Sequence, residues 1–415
     1  MERILMENIK YINDDITNGI LYDYGKINKL FYKILRDTMK QSIKNVYVPN
    51  LPFNKADWFV EMSERSVGKT TQYLLYGLCM YKLYGTKTEY IRDKYEQIAP
   101  KNSARLFETI LEFDYINKIF EGKYNSVEYI TREREYYLVK RDEKGDIIEK
   151  DVHGFIHLHS LDNVDNTKSS YNTPRGDWCV YDEAIPVNGI TTENNFIALS
   201  QLLSTITRLR YSCKFIINAN TINKYTTLFR ELLVSDNIIS MKIGDEKIIK
   251  TPKGVSLYVH LINFESEITD KRRMRNLRFF GFENPRLNSI IGGSEWETFA
   301  FPHIPKGLKY DILCDNLFFD YADKYLQFKI CKNEEIGFFG IVVPYTGKRD
   351  YHEMRIYSLD EAIQDKRVHY GLGTGKKIER IIERLLKGRR VYYSTNTEGN
   401  LFNQYLKEIN VNFIK

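Results

Sequence analysis

Several features that would place this chain in a narrow class are missing. It has only 5 cysteines in 415 residues, Cys79, Cys179, Cys213, Cys314 and Cys331, and none lies at the short spacing of a zinc site. Cys79, Cys179 and Cys213 sit in apolar runs, which predicts buried thiols of a reducing compartment. No leader-like start is visible, and no apolar run approaches the ~20 residues that span a bilayer. The expectation is a soluble, intracellular protein. A strong charge of one sign is also lacking: 61 Lys and Arg against 55 Asp and Glu leave +6. That balance permits a local nucleic-acid contact without demanding one. What is present is a 43% hydrophobic, 28% charged chain with 31 Tyr and 23 Phe, long enough for two domains and able to bury real cores. Tyrosine suits cores with a wet edge and also protein or nucleic-acid contacts.

The most informative stretch is Trp58 to Thr71, WFVEMSERSVGKTT. It reads as a buried strand, a tight loop and a helix start, with Gly68-Lys69-Thr70 at the junction and a helix from Thr70 to Tyr84 stopped by Gly85. This is the layout of a phosphate cradle, in which backbone N–H groups at a helix start face anionic oxygens. The candidate nucleotide-binding residues are Ser63, Glu64, Arg65, Ser66, Val67, Gly68, Lys69, Thr70 and Thr71. Lys69 is placed to reach the β- and γ-phosphates and the Thr70 hydroxyl to bind Mg²⁺. Ser63 stands where the full pattern has its first glycine.

Downstream, Gly176 to Glu183 reads as a short apolar strand that ends in two carboxylates, Asp182 and Glu183. In this class of nucleoside triphosphatase the first carboxylate holds Mg²⁺ and the second polarises the attacking water. A further apolar strand, Lys214 to Asn220, ends in amides, so Asn218 or Asn220 is a candidate γ-phosphate or water contact; a strand-ending turn is the plain alternative. A helix from Asn194 to Thr207 leads into Arg208 and Arg210. A helix-end arginine usually complements the dipole, and an arginine finger is the sharper reading.

These residues, taken in order, resemble the viral large terminases, which carry an arginine three positions before the last glycine of the loop, as Arg65 does here. They are more similar still to the DNA-packaging ATPases of small, short-tailed phages with protein-primed genomes, the Picovirinae type. The recognisable motifs span roughly residues 55–280. The resemblance implies an α/β P-loop NTPase of the three-layer ASCE type that uses ATP and Mg²⁺. It implies a homopentameric ring that drives double-stranded DNA through the capsid portal without reading sequence, in the host cytoplasm and docked transiently on the procapsid. Lys69 and Arg65 would neutralise phosphate charge, Thr70 and Asp182 would hold the metal, and Glu183 would orient water. Arg208 would act in trans from a neighbouring subunit, with Arg210 the alternative. The strand around Glu89 to Tyr95 would carry Arg92 and Lys94 toward DNA, and Thr167 to Ser170 matches a Lys-Ser element before the Asp-Glu strand.

The expected domain layout is an N-terminal helical extension (1–50), the ATPase domain (51–265), a linker or lid (266–305) and a small C-terminal α+β domain (306–415). Ile20, Leu21, Tyr24, Ile27, Leu30, Phe31, Ile34 and Leu35 fall at helical spacing in the extension, which could pack on the core or join subunits. Segments around 129–139 and 147–159 read as a β-hairpin excursion. The basic run Lys271 to Arg278 is a DNA or subunit contact on the strength of the resemblance. In the tail, strands are expected at 326–331, 336–343 and 355–359, then a helix at 376–387, a strand at 390–394 and a helix from Gly399. The strands 325–330 and 337–343 carry no Asp or Glu, so a two-metal nuclease is not expected, and the tail reads as a vestigial nuclease of ribonuclease H type. The Gly371 to Lys377 run is read as a flexible loop rather than a second phosphate loop. His157 and His159, with His153 nearby, are read as a half-exposed strand, since no cysteine or additional carboxylate cluster supports a metal site. The competing functions are a terminase with a live nuclease, a helicase and a non-motor nucleotide switch.

Overall fold

The computed structural model describes residues 22–39, 47–63, 67–103, 105–164, 176–185, 193–207, 212–220, 226–264, 270–271, 274–275, 278–279, 301–304, 307–321, 324–334, 336–345, 347, 355–358, 368–370 and 377–409. The chain divides into two compact units. The first comprises Met1–Pro186, Glu193–Ile222 and Asp236–Glu295; the second comprises Val187–Thr192, Asn223–Ser235 and Trp296–Lys415.

The first unit opens with α1 (Tyr24–Met39), then β1 (Trp58–Ser63), α2 (Lys69–Tyr84) and β2 (Thr88–Arg92). Four short helices follow, then β3 (Ser126–Ile130), β4 (Glu135–Arg141), β5 (Ile147–Ser160) and β6 (Trp178–Tyr181). Next come α7 (Glu193–Thr207, the four short helices counting as α3 to α6) and β7 (Lys214–Asn220), and later β8 (Glu246–Lys250) and β9 (Ser256–Leu261). The strands form one nine-stranded sheet in the order β3-β4-β5-β2-β6-β7-β1-β9-β8. The six strands from β5 to β9 in that order pair in parallel, and antiparallel pairs close both edges. Helices joining parallel strands explain why the central strands are buried along their length.

The face of the sheet that packs on α2 is set by alternation. Phe59, Tyr90, Val180 and Ile216 join Leu74, Leu75 and Leu78 in one core. Two residues further along the same strands, on the same face, stand Glu61, Arg92, Asp182 and Asn218. The sheet is therefore apolar beneath the helix and polar at its carboxyl edge. α2 itself is buried over most of its length, as a helix apolar around most of its circumference must be.

Two expectations change here. The segment from 126 to 160 is not an excursion: β5 runs 14 residues, and its second half pairs in parallel with β2, so the hairpin extends the main sheet. In the extension, α1 packs on the core through Ile27, Phe31, Ile34 and Leu35. Ile20 and Leu21 lie outside the described residues.

The second unit holds α8 (Thr227–Glu231) and a six-stranded sheet of β10 (Asp311–Tyr321), β11 (Lys324–Asn333), β12 (Gly337–Tyr345), β13 (Arg355–Ser358), β14 (Val368–Tyr370) and β15 (Val391–Tyr393). Their order is β14-β13-β10-β11-β12-β15. An antiparallel meander, β10 to β12, is flanked by strands parallel to its edges. Helices Lys377–Lys387 and Asn396–Glu408 supply Ile382, Leu385, Phe402 and Tyr405 to its core. The last helix begins at Asn396, capped by Thr395, three residues before the expected Gly399. The sequence reading missed β10, a central strand that carries Asp311, Asp315 and Asp320. The premise that the central strands lack carboxylates is therefore incomplete. The Arg230 guanidinium lies 3.9 Å from Glu408 and 5.4 Å from the Tyr321 ring, which ties α8 to this unit.

Candidate nucleotide site

The site forms at the carboxyl ends of β1, β2, β6 and β7. Gly68, with φ +92°, caps α2 in the left-handed region, where a side chain would be strained. That turn aims the first helical residues back over β1. Lys69 is buried, and its Nζ donates to Ser63 Oγ at 2.6 Å and to the Ala219 carbonyl at 2.7 Å. The cation thus spans the ends of β1 and β7. Burial pulls its pKa down to about 8, against the opposing pull of the Glu61 and Asp182 charges.

Asp182 is the hub. Its carboxylate accepts from Thr70 Oγ1 at 2.8 Å, from the Tyr90 hydroxyl at 2.7 Å and from Asn218 Nδ2 at 3.2 Å. Its backbone N–H donates to Ile91 O at 3.0 Å, holding it at the sheet edge. Burial, then the Asp182 charge, pushes the Tyr90 phenol far above its ordinary range, so it remains a donor. Thr70 and Asp182 together form the oxygen pair a hard divalent cation takes.

Glu183 adopts φ +53°, an uncommon conformation for a residue with a Cβ, of the kind that concentrates at functional sites. The turn throws its side chain outward, where it is 51% exposed and 2.7 Å from Arg92 Nη1; Arg92 Nη2 lies 3.7 Å from Asp182. Arg92 was expected to face DNA. In this structure its guanidinium instead lies against both carboxylates, because Tyr90 and Arg92 alternate onto the α2 face of β2.

The sequence reading also missed Glu61. It is wholly buried in β1 and accepts from Tyr47 Oη at 2.5 Å, from Tyr73 Oη, and lies 3.0 Å from His260 Nδ1. A lone charge inside an apolar strand was the available signal, since such a group persists only when it is paired. Of the remaining candidates, Val67 is buried with Tyr47 and Ile262, and Thr71 is half-buried. Asn220 closes β7 opposite Ser63. Glu64, Arg65, Ser66, Arg208, Arg210 and the 167–170 segment lie outside the described residues, as does the 371–376 loop. Of the basic run, Lys271, Arg275 and Arg278 are described, and all are exposed. No helix among the described residues is long and apolar enough to cross a membrane. His157 and His159 are buried rather than half-exposed.

Neither a protein-family model nor a curated protein matches the sequence. Solved structures do. The Phi-28 gp11 DNA packaging motor is similar over 85% of this chain and 95% of its own, with TM-score 0.52 and 16% identity. The bacteriophage Phi-29 viral genome packaging motor assembly is similar over 88% of this chain and 99% of the other, with TM-score 0.53 and 15% identity. At such identities the likeness is one of fold, and it takes in nearly the whole length of both chains.

Proposed function

We propose that this protein is the ATPase of a phage DNA-packaging motor, which hydrolyses ATP in an oligomeric ring to drive double-stranded DNA into a preformed capsid. The observation that carries the reading is the meeting of Lys69, Thr70, Asp182, Asn218 and Glu183 at one sheet edge. A buried cation, a hydroxyl–carboxylate pair and an outward carboxylate are the parts that phosphoryl transfer to water requires. The shared fold supports the same reading, since both similar structures are packaging motors by name.

Lys69, released from Ser63 and Ala219, would contact the transferring phosphoryl group, joined by Arg65. Thr70 and Asp182 would hold Mg²⁺, which would supply positive charge to offset that of the phosphates. Tyr90 and Asn218 hold the Asp182 carboxylate in place. Glu183, once free of Arg92, is exposed enough to take a proton from water. Arg208 of a neighbouring subunit would complete the site. The ring, its pentameric count and docking on a portal in the host cytoplasm belong to the same proposal. Lys94 and the Lys271, Arg275 and Arg278 stretch would meet DNA phosphates rather than bases, as a motor blind to sequence requires. The six-stranded sheet would be a nuclease-like fold of ribonuclease H type without cutting activity.

The test is ATP turnover with and without duplex DNA, using full-length protein. Hydrolysis should rise with DNA of any sequence and lose that stimulation as salt increases. Linked dimers pairing an Arg208→Ala subunit with a Glu183→Gln subunit should recover turnover in the order that joins intact Glu183 to intact Arg208. Hydrolysis that ignores DNA would favour a nucleotide switch. Full activity in a verified monomer would remove the shared site.

A further inference from the structure

On the face of the sheet away from α2, β2 and β5 build a second polar cluster. Ile156 and Leu158 face the α2 core, so His157 and His159 turn to the opposite side. Glu89 pairs in register with His157, and Ile91 with His159, which brings the Glu89 carboxylate against both imidazoles. The carboxylate comes from a strand nearly seventy residues away, brought alongside by the parallel pairing of β2 and β5.

We propose that Glu89, His157 and His159 bind a divalent transition-metal ion of the zinc class, with water in the fourth position. Glu89 Oε2 lies 2.7 Å from His159 Nε2 and 3.7 Å from His157 Nδ1. One potential ligand atom from each residue falls within a 4.8 Å cluster. Tetrahedral zinc with bonds of ~2.0–2.1 Å needs ligand atoms roughly 3.3 Å apart, so small side-chain shifts would admit the ion. All three residues are buried, with Glu89 at 0% exposure. Gly176 makes the room: a Cβ there would stand 2.2 Å from Glu89 Oε1. Two nitrogens and one carboxylate suit zinc, or cobalt in its place, better than Mg²⁺ or Ca²⁺. The ion would pin β5 to β2 three residues before Arg92, as a structural clasp distinct from the nucleotide site.

Full-length protein prepared without chelator should carry about one zinc per chain by elemental analysis. After stripping, Co²⁺ should restore the intense visible bands of a tetrahedral site, and Zn²⁺ should raise Tm by several degrees. His157→Ala with His159→Ala, or Glu89→Gln, should abolish stoichiometric binding. His153→Ala, an exposed histidine on the same strand, should leave it intact. X-ray absorption on the zinc-loaded wild type reads imidazole at the metal without relying on a variant that folds. Absence of zinc with no Co²⁺ bands, zinc retained by the double variant, or a metal shell without imidazole would each overturn the proposal.

Discussion

In the nine-stranded sheet, polar groups from three strands and a helix converge. Asp182 from the end of β6 meets Thr70, Tyr90 and Asn218 within 3.2 Å, and each group comes from a different element. In the six-stranded sheet, the strand carboxylates Asp311, Asp315 and Asp320 all lie along β10. Neighbouring β11 and β12 contribute none. Among the described residues, the first sheet surrounds a carboxylate with polar groups from neighbouring elements, whereas the second strings its strand carboxylates along one strand. Parallel strands that end at a common edge create a site because their last residues are neighbours; carboxylates strung along one strand are spaced by its rise.

The largest expected effect is at that edge. Glu183→Gln should lower ATP turnover by about 10²–10⁴-fold, the usual worth of a positioned proton acceptor, while nucleotide binding stays within a few-fold. Lys69→Ala should lose binding as well, because it removes the buried cation. Fluorescent-nucleotide titration beside steady-state turnover separates the two. Normal turnover in Glu183→Gln would end the assignment and break the contrast between the sheets.

Next in size is pH. The Lys69 pKa lies at about 8, below the ordinary lysine value, because burial favours the neutral amine. A polyphosphate binds the protonated form, so binding raises that pKa. Below pH 8 the proton is already present and affinity is flat. Above pH 8 each binding event must take up a proton, and affinity should fall about fivefold from pH 8 to pH 9, approaching tenfold per unit beyond. Nucleotide affinity measured from pH 6.5 to 9.5 checks this. A flat profile would place the lysine pKa elsewhere.

A smaller effect concerns Arg92. Its pairing with Glu183 is half open to solvent, so it is worth about 0.5–1 kcal/mol. Arg92→Ala should release Glu183 and raise DNA-free turnover by roughly two- to five-fold. Loss of turnover would instead make Arg92 part of the catalytic set.

The groups of the candidate site were legible because they are written in short local runs. Gly68-Lys69-Thr70 and Asp182-Glu183 carry their meaning within a few residues, and the apolar strands before them fix their direction. For the same reason β7 was read to the residue, β1 from its first residue, and β6 within two residues at each end. What was not legible depends on pairing across distance. Glu61 is explained only by Tyr47, Tyr73 and His260, which lie on other segments. Arg92 reads as a surface charge until β2 is placed beside β6. β10 escaped because Asp315 and Asn316 interrupt its apolar alternation, and the register shifts between Ile312 and Leu317 break the period that would have revealed it. The histidines on β5 looked half-exposed because their covering face comes from elsewhere in the chain.

The smallest expected effect is none at all. If the carboxylates of β10 cannot cooperate, purified protein with Mg²⁺ or Mn²⁺ should leave supercoiled plasmid intact, and Asp320→Asn should leave ATP turnover unchanged. The reason is distance. At about 3.3 Å per residue, Asp315 and Asp320 stand roughly 16 Å apart along an extended strand, although bulges shorten this somewhat. Two-metal cleavage needs carboxylates around ions only ~4 Å apart, so it needs acids from neighbouring strands. Among the described residues, β13 offers only Arg355, Ile356, Tyr357 and Ser358 beside β10. Asp320 nevertheless sits near the end of β10, where the parallel β13 also ends, and the sequence places Asp360 and Glu361 just beyond that point. They lie outside the described residues, which makes Asp320 the informative substitution. Plasmid cutting that disappears in both Asp320→Asn and Asp360→Asn would show that the second sheet also gathers its acids at a parallel edge. The terminase reading would then replace the vestigial one.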